Sequence, residues 1–102
     1  MIIVSVMYPK TSESTFDMKY YVETHTPLVQ ARLSPIGMES LHAMRGTGSL
    51  DGGPPPFEVI AQLQFGSVQQ LQEALTAHGA EIIGDIAKFT NVQPVMQINE
   101  PL

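Results

Sequence analysis

The alternation of residues from Phe57 to Phe65 constrains the fold of this chain more than any other feature of its sequence. One set of alternate residues is entirely apolar: Phe57, Val59, Ala61, Leu63 and Phe65. The set between them carries a single charge: Glu58, Ile60, Gln62 and Gln64. A period of two is typical of a strand with one face on a core. The polar amide face opposite is what we expect of a surface that meets a partner subunit or a wet cavity.

Three further segments are predicted to be strands. Residues 2–8 are apolar on both parities, which indicates a central strand covered on both faces. Residues 38–45 alternate, and residues 92–98 contain Pro94, which favours an edge position or a bulge. The Gly- and Pro-rich residues 46–56 predict a long exposed hairpin loop between the second and third strands.

The first helix is predicted from Asp17, its N-cap, to His25. Its apolar stripe consists of Met18, Tyr21, Val22 and His25, at the spacing of one helix face. Pro27 lacks an N–H group, so we expect a break or bend directly after His25. Thr26 and Pro27 would then begin a second short helix that ends at Leu33.

The second major helix is predicted to start with a capping box formed by Ser67 and Gln70. We expect it to end at His78, because Gly79 is a typical residue just past a helix C-terminus. Residues 81–89 have apolar residues at helical spacing and predict a separate short helix.

With the short helices set aside, the order is β-α-β-β-α-β, the ferredoxin-like α+β arrangement, as one domain over residues 1–102. In such a fold both helices lie on one face of an antiparallel sheet. The uncovered face carries Ile, Val, Met and Gln residues, so we expect a symmetric homodimer packed sheet to sheet.

Composition excludes several classes of function. The chain has no cysteine, which rules out disulfides and a thiolate nucleophile. Its net charge is −5 and its five Lys and Arg residues are scattered, so no patch is available for nucleic acid. The first apolar run is too short for a signal sequence or a membrane span. We therefore expect a cytoplasmic protein that binds neither nucleic acid nor membrane.

His25 is the first candidate for chemistry, because imidazole is the side chain best suited to moving protons near neutral pH. It lies on the core-facing stripe where Pro27 interrupts the backbone ladder. It could act as a general acid or base. Equally, it could be a structural residue that bonds free carbonyl groups at a helix C-terminus.

Tyr21 shares this stripe and could orient His25 or a bound phenol or carbonyl, although a core aromatic has the same pattern. Tyr20 projects about 100° away and is expected to pack at the helix edge. His42 could point into the same cavity as Gln62, and Asp85 is expected to cap a helix or turn, with a role in the site as the second choice. The candidate substrate-binding residues are Tyr20, His42, Gln62 and Asp85.

No metal site or cofactor is predicted. No two histidines have the i, i+4 spacing of a ligand pair, and His78 is expected to serve only the helix dipole. The glycines of residues 46–53 precede a strand rather than a helix, so they do not form a phosphate-binding loop.

Residues 16–28, Phe-Asp-Met-Lys-Tyr-Tyr-Val-Glu-Thr-His-Thr-Pro-Leu, resemble the signature of the EthD family, named for ethyl tert-butyl ether degradation. The likeness recurs at residues 78–86 and 89–94. It implies a dimeric α+β barrel of two ferredoxin-like subunits. Relatives in that superfamily include cofactor-free cyclases, lactone isomerases, decarboxylases and small monooxygenases, and His25 and Tyr21 fall on the family motif.

Two functions follow from these observations. The first is a cofactor-free enzyme acting on a small apolar or aromatic oxygenated compound, with His25 as general acid/base and Tyr21 orienting it or the substrate. The second is a non-catalytic accessory protein that carries a ligand in a degradative pathway. The second is favoured by the shortage of ionisable groups, because His25 has no evident carboxylate partner in the sequence.

Overall fold

The computed structural model describes all 102 residues and contains four strands. They are β1 (Ile2–Pro9), β2 (Met38–Arg45), β3 (Phe57–Phe65) and β4 (Val95–Asn99). The strands form one antiparallel sheet in the order β2-β3-β1-β4, with both helical layers on one face. The predicted ferredoxin-like α+β fold is therefore confirmed.

The strand positions agree with the sequence patterns. β1 lies between β3 and β4, and β4 forms an edge of the sheet, as Pro94 indicated. This proline directly precedes β4, so its missing N–H group removes no ladder hydrogen bond. Residues 92–94 consequently stay outside the strand that we predicted from residue 92. No element of the chain covers the second face of β1, where Ile3 and Met7 are half-buried.

The first helical segment consists of α1 (Met18–Tyr20), a π-helical turn (Tyr21–His25) and α2 (Thr26–Leu33), followed by a 3₁₀ turn (Ser34–Ile36). Asp17 caps it as predicted, with Oδ1 accepting from the Tyr20 N–H at 3.0 Å. The chain does not break after His25, because the three parts follow one another without interruption, but the helix type does change there, and α2 ends at Leu33 as predicted.

The π turn explains how Pro27 is tolerated. The N–H of Thr26 donates to the carbonyl oxygen of Tyr21, one residue further back than in an α-helix. Thr26 Oγ1 donates instead to the Val22 carbonyl, at 3.2 Å. A proline ring in an α-helix collides with the carbonyl four residues earlier, here that of Glu23, and a wider turn relieves this contact. The helix therefore absorbs Pro27 locally rather than ending.

The second helix is α3 (Val68–Ile86), which starts at the predicted cap, where Ser67 Oγ accepts from the Gln70 N–H at 3.2 Å. The predicted end at His78 and Gly79 is wrong, since α3 continues for two more turns and includes residues 81–86 of the separate helix expected over residues 81–89. Its buried face continues in phase from Leu71 to Ile86. Burial of that face outweighs the cost of a glycine inside a helix, about 1 kcal/mol.

The core lies between the helices and the sheet in two clusters. One surrounds Phe65, and the other consists of Tyr8, Tyr21, Val59, Ile86 and Phe89. The residues of β3 that are buried here, Val59, Ala61 and Phe65, are those of the predicted core parity. The aromatic cluster holds the start of the first helical segment against the C-terminal end of α3, and this contact creates the candidate site.

Candidate functional site

His25 and Asp85 form a buried pair between the first helical segment and α3. Nδ1 of His25 lies 2.9 Å from Oδ2 of Asp85, and the two residues are only 4% and 6% exposed. The pair exists because α3 continues past Gly79, which carries Asp85 to the π turn. The sequence reading that His25 lacks a carboxylate partner, and that Asp85 mainly caps a turn, is therefore wrong.

Asp85 is held by two further groups. The hydroxyl of Tyr20 donates to Oδ1 at 2.8 Å, and Nζ of Lys88 lies 3.6 Å from the same oxygen. Burial acts to raise the pKa of Asp85, but the hydrogen bonds from His25 and Tyr20, with the charges of His25 and Lys88, lower it below its ordinary value. The carboxylate is therefore ionised at neutral pH.

An ionised carboxylate fixes the tautomer of the neutral imidazole. Asp85 can only accept hydrogen bonds, so Nδ1 of His25 carries the proton and Nε2 keeps a free lone pair. Every side-chain nitrogen or oxygen that is sealed from solvent has a hydrogen-bond partner, and Nε2 has none. Nε2 is therefore not sealed from solvent, and the space that His25 lines is the cavity described below.

Aromatic contacts fix the orientation of the His25 ring. It stacks on Tyr21 with 5.5 Å between ring centroids and a 23° interplanar angle, and the Phe89 centroid lies 4.6 Å away. With Asp85 holding Nδ1 and two rings holding its faces, the imidazole has one packed position.

A cavity of about 470 Å³ lies beside this ring, between the sheet and the helices. Its walls are mostly apolar, and no Lys, Arg, Asp or Glu residue lines them. Thr26 and the aromatic residues Tyr8, Tyr21 and His25 supply the polar side chains. The volume lies within the range of small-molecule sites.

The mouth of the cavity lies between α3 and the edge strand β4. Four lining side chains are about half exposed, and they all belong to these two elements: Leu75, Ile83, Met96 and Ile98. A wider, more open groove of about 1060 Å³ runs beside residues 87–94. It contains neither His25 nor Asp85, so we take the enclosed cavity as the candidate site.

The structure brings together four of the six predicted site residues: Tyr20, Tyr21, His25 and Asp85. His42 and Gln62 are cross-strand neighbours on the opposite face of the sheet, where both are exposed. The cavity receives the alternate residues of these strands, such as Leu41 and Leu63. The idea that His42 and Gln62 share a face is correct, but that face is not the cavity wall.

The positions of His78 and Tyr8 also differ from what the sequence predicted. His78 was expected at a helix C-terminus and lies instead in the middle of α3. Tyr8, which the sequence reading did not select, lines the cavity at the end of β1. The sequence could have identified Tyr8, because it is the aromatic residue among the alternate residues of β1 that face the core.

Fold and site together define a ferredoxin-like α+β domain with an apolar cavity and a buried histidine–aspartate pair. The EthD domain profile matches residues 9–93, so the chain belongs to the EthD family. This range includes the first helical segment, α3 and the residues of the His25–Asp85 pair.

Solved structures agree with this assignment. An EthD-like protein from Ralstonia eutropha JMP134 is 40% identical, with a TM-score of 0.89 over 97% of this chain and 89% of that one. An ethyl tert-butyl ether degradation (EthD) family protein from Bacillus halodurans C-125 is 19% identical, with a TM-score of 0.71 over 100% and 99% of the two chains. A DABB family protein with a ferredoxin-like fold from Mesorhizobium loti MAFF303099 is 12% identical, with a TM-score of 0.64 over 99% and 96%.

Comparison with curated proteins gives no match to this chain. None of its helices combines the length and the apolar character needed to cross a lipid bilayer. No group of three or more His, Asp or Glu side chains is arranged to hold a metal ion.

Proposed function

We propose that this EthD family member is an enzyme that acts on a small, uncharged, largely apolar oxygenated compound. The observation that carries the proposal is the buried His25–Asp85 pair with Nε2 open to an apolar cavity. His25 is the general acid/base, and Asp85 and Tyr20 are positioning residues. The reaction is an isomerisation, cyclisation or oxygenation-related step that needs no bound cofactor; a decarboxylation would require a substrate carboxylate, for which the cavity offers no Lys or Arg side chain.

The charge distribution limits the substrate. A carboxylate or phosphate group in the cavity would find no Lys or Arg side chain, and an unpaired buried charge costs several kcal/mol. Apolar walls instead favour a compound with few polar atoms. The substrate is therefore neutral when it binds.

The pair is better suited to proton transfer than to stability. Hydrophobic residues of similar volume commonly stabilise a protein as well as a buried ion pair does. A carboxylate that fixes the Nδ1–H tautomer also stabilises the imidazolium formed when Nε2 takes a proton. General acid–base catalysis of this kind contributes about 10²- to 10⁴-fold in rate.

The test is turnover by the purified protein alone, measured by mass spectrometry with a panel of neutral bicyclic ketones, lactones and phenols. On a compound that the wild type converts, we expect His25→Ala to lower the rate at least about 100-fold. His78→Ala is the matched control, because His78 lies on α3 and does not line the cavity. An unchanged rate in a folded His25→Ala variant would refute the role of His25.

A second candidate function is a ligand carrier without catalysis. It is supported by the cavity walls, which contain one histidine and no Lys, Arg, Asp or Glu side chain, a small set of groups for catalysis. For a carrier, wild type and His25→Ala would bind the same compounds with similar affinity, and neither would form product. Product from the wild type alone eliminates this function.

We also propose that the chain forms a homodimer through the face of the sheet that the helices leave open. Apolar side chains on this face are only partly covered, among them Ile3, Met7, Met44 and Ile60. A sheet face of this composition is typical of an interface.

Light scattering coupled to size exclusion tests this interface. We expect the mass of two chains for the wild type and of one chain for Ile60→Lys, because the substitution places a charge in the middle of the face. Val22→Lys, on the exposed side of the first helical segment, is the control and should remain dimeric. A monomeric wild type would contradict the proposal.

A further inference from the structure

Two tyrosine side chains, Tyr8 and Tyr21, place phenol hydroxyls on the cavity, and Tyr8 has no role in the function proposed so far. Tyr8 lies at the end of β1 and Tyr21 in the π turn, and both line the cavity. Their rings are 5.9 Å apart in an edge-to-face contact, and Tyr21 in turn stacks on His25. The side chains are almost entirely buried, at 2% and 3% exposure.

Neither hydroxyl has a hydrogen-bond partner in the protein. Side-chain oxygens and nitrogens that are sealed from solvent all have partners, so the Tyr8 and Tyr21 hydroxyls are not sealed, and the space that both residues line is the cavity. Buried tyrosine hydroxyls normally find a partner. Two that remain free in the cavity that His25 also lines are donors available to a ligand.

Both phenols remain protonated over the whole neutral range. Burial raises the pKa of Tyr21 to about 12. Burial also raises the pKa of Tyr8 far above its ordinary value, and the neighbouring Tyr21 adds to the effect. The two groups can therefore donate hydrogen bonds but cannot serve as bases, which leaves that task to His25.

We propose that Tyr8 and Tyr21 bind the carbonyl oxygen of the substrate, which makes the substrate class a neutral, enolisable ketone or lactone. This inference rests on the proposed function and adds Tyr8 as a further catalytic residue. An oxygen that gains negative charge in a mostly apolar site is stabilised strongly by donors already in place.

The step that this arrangement favours is an enolisation. The bond between the α-carbon and its hydrogen breaks, the proton moves to Nε2 of His25, and the electron pair forms a carbon–carbon double bond. The carbonyl π electrons move to the oxygen, which becomes an enolate held by the two hydroxyls. Return of the same proton from Nε2 to another carbon of a conjugated enolate gives an isomer. Atoms and electrons balance without an oxidant or reductant.

Binding of 2-naphthol tests the inference, because its oxygen mimics an enolate oxygen on a rigid apolar body. The control ligand is 2-methylnaphthalene, which has nearly the same shape and no hydroxyl. The chain contains no tryptophan, so the only protein fluorescence beside that of the naphthalene comes from its three tyrosines. We expect Tyr8→Phe and Tyr21→Phe each to weaken 2-naphthol binding about 3- to 10-fold and to leave 2-methylnaphthalene binding unchanged.

Each outcome has a distinct meaning. If both ligands bind and the tyrosine variants bind 2-naphthol as the wild type does, the inference is wrong and the proposed function stands. If neither ligand binds the wild type, the proposed small-molecule site is wrong and the inference falls with it.

Thermal unfolding gives an independent readout, since a hydroxyl without a protein partner can be removed at no loss of stability. A clear drop in melting temperature for Tyr8→Phe would show that its hydroxyl has a structural partner, which also overturns the inference.

Discussion

Replacing Asp85 with asparagine is expected to destabilise the protein by about 2 kcal/mol and to change the tautomer of His25. The amide accepts a weaker hydrogen bond than a carboxylate, and both Nδ1 of His25 and the Tyr20 hydroxyl now donate to that carboxylate. If the amide turns its NH₂ group toward Nδ1, the imidazole proton moves to Nε2. The base in the cavity is then lost although the ring keeps its position.

Nitrogen-15 NMR of the histidine side chains measures this directly. The wild type should show His25 protonated on Nδ1, and Asp85→Asn should show a substantial population protonated on Nε2. Turnover should fall about 10²- to 10⁴-fold, as when an orienting carboxylate is lost from a catalytic histidine. Glu81→Gln is the matched control, because it makes the same chemical change on α3 in an exposed ion pair with Arg32. A variant of Asp85 with the wild-type tautomer and rate would contradict the assignment of Asp85 as a positioning residue.

The stability difference between wild type and Asp85→Asn should depend on pH in one direction. The pKa of Asp85 is lower in the folded protein than its ordinary value of 3.8. The contribution of Asp85 to the free energy of unfolding is therefore fully present above pH values near that ordinary pKa. It is lost as the pH falls through the lower pKa of the folded protein. Denaturant unfolding should show a constant difference above about pH 5 and a smaller one near about pH 3. A difference that grows on acidification would mean that Asp85 is destabilised by its burial.

The fold was predictable because its signals are local. The alternation in β3, the caps at Asp17 and Ser67, and the position of Pro94 each depend on a few neighbouring residues. The ends of the helices were not predictable in this way. Pro27 and Gly79 are strong helix-ending signals, but a π turn accommodates Pro27, and burial of the apolar stripe of α3 outweighs the effect of Gly79.

The site was predictable only in part, because its components come from distant elements. His25 was selected by its residue type and its stripe. Its partner lies 60 residues away in sequence, and no periodicity links the two. The misplacement of His42 has a related cause: alternation shows which residues share a face of a strand, but it does not show which of the two faces the helices cover.

The coupling between His25 and Asp85 gives the largest expected change in stability. We expect His25→Leu to cost about 3 kcal/mol or more in the free energy of unfolding, because Asp85 stays buried and charged without the hydrogen bond from His25. Adding Asp85→Leu should recover more than half of that loss, since leucine at both positions packs against the apolar cluster around Phe89. Denaturant unfolding of the two single variants and the double variant measures the coupling.

The same cycle at Arg32 and Glu81, both replaced by alanine, is the control and should show little coupling, because that ion pair is exposed and screened by solvent. If the double leucine variant is as stable as we expect and yet shows no turnover, the pair is retained for proton chemistry at the expense of stability. If the double variant is no more stable than His25→Leu alone, the buried carboxylate is not the source of the penalty. The pair would then contribute mainly through packing, and a structural role for His25 would be the better interpretation.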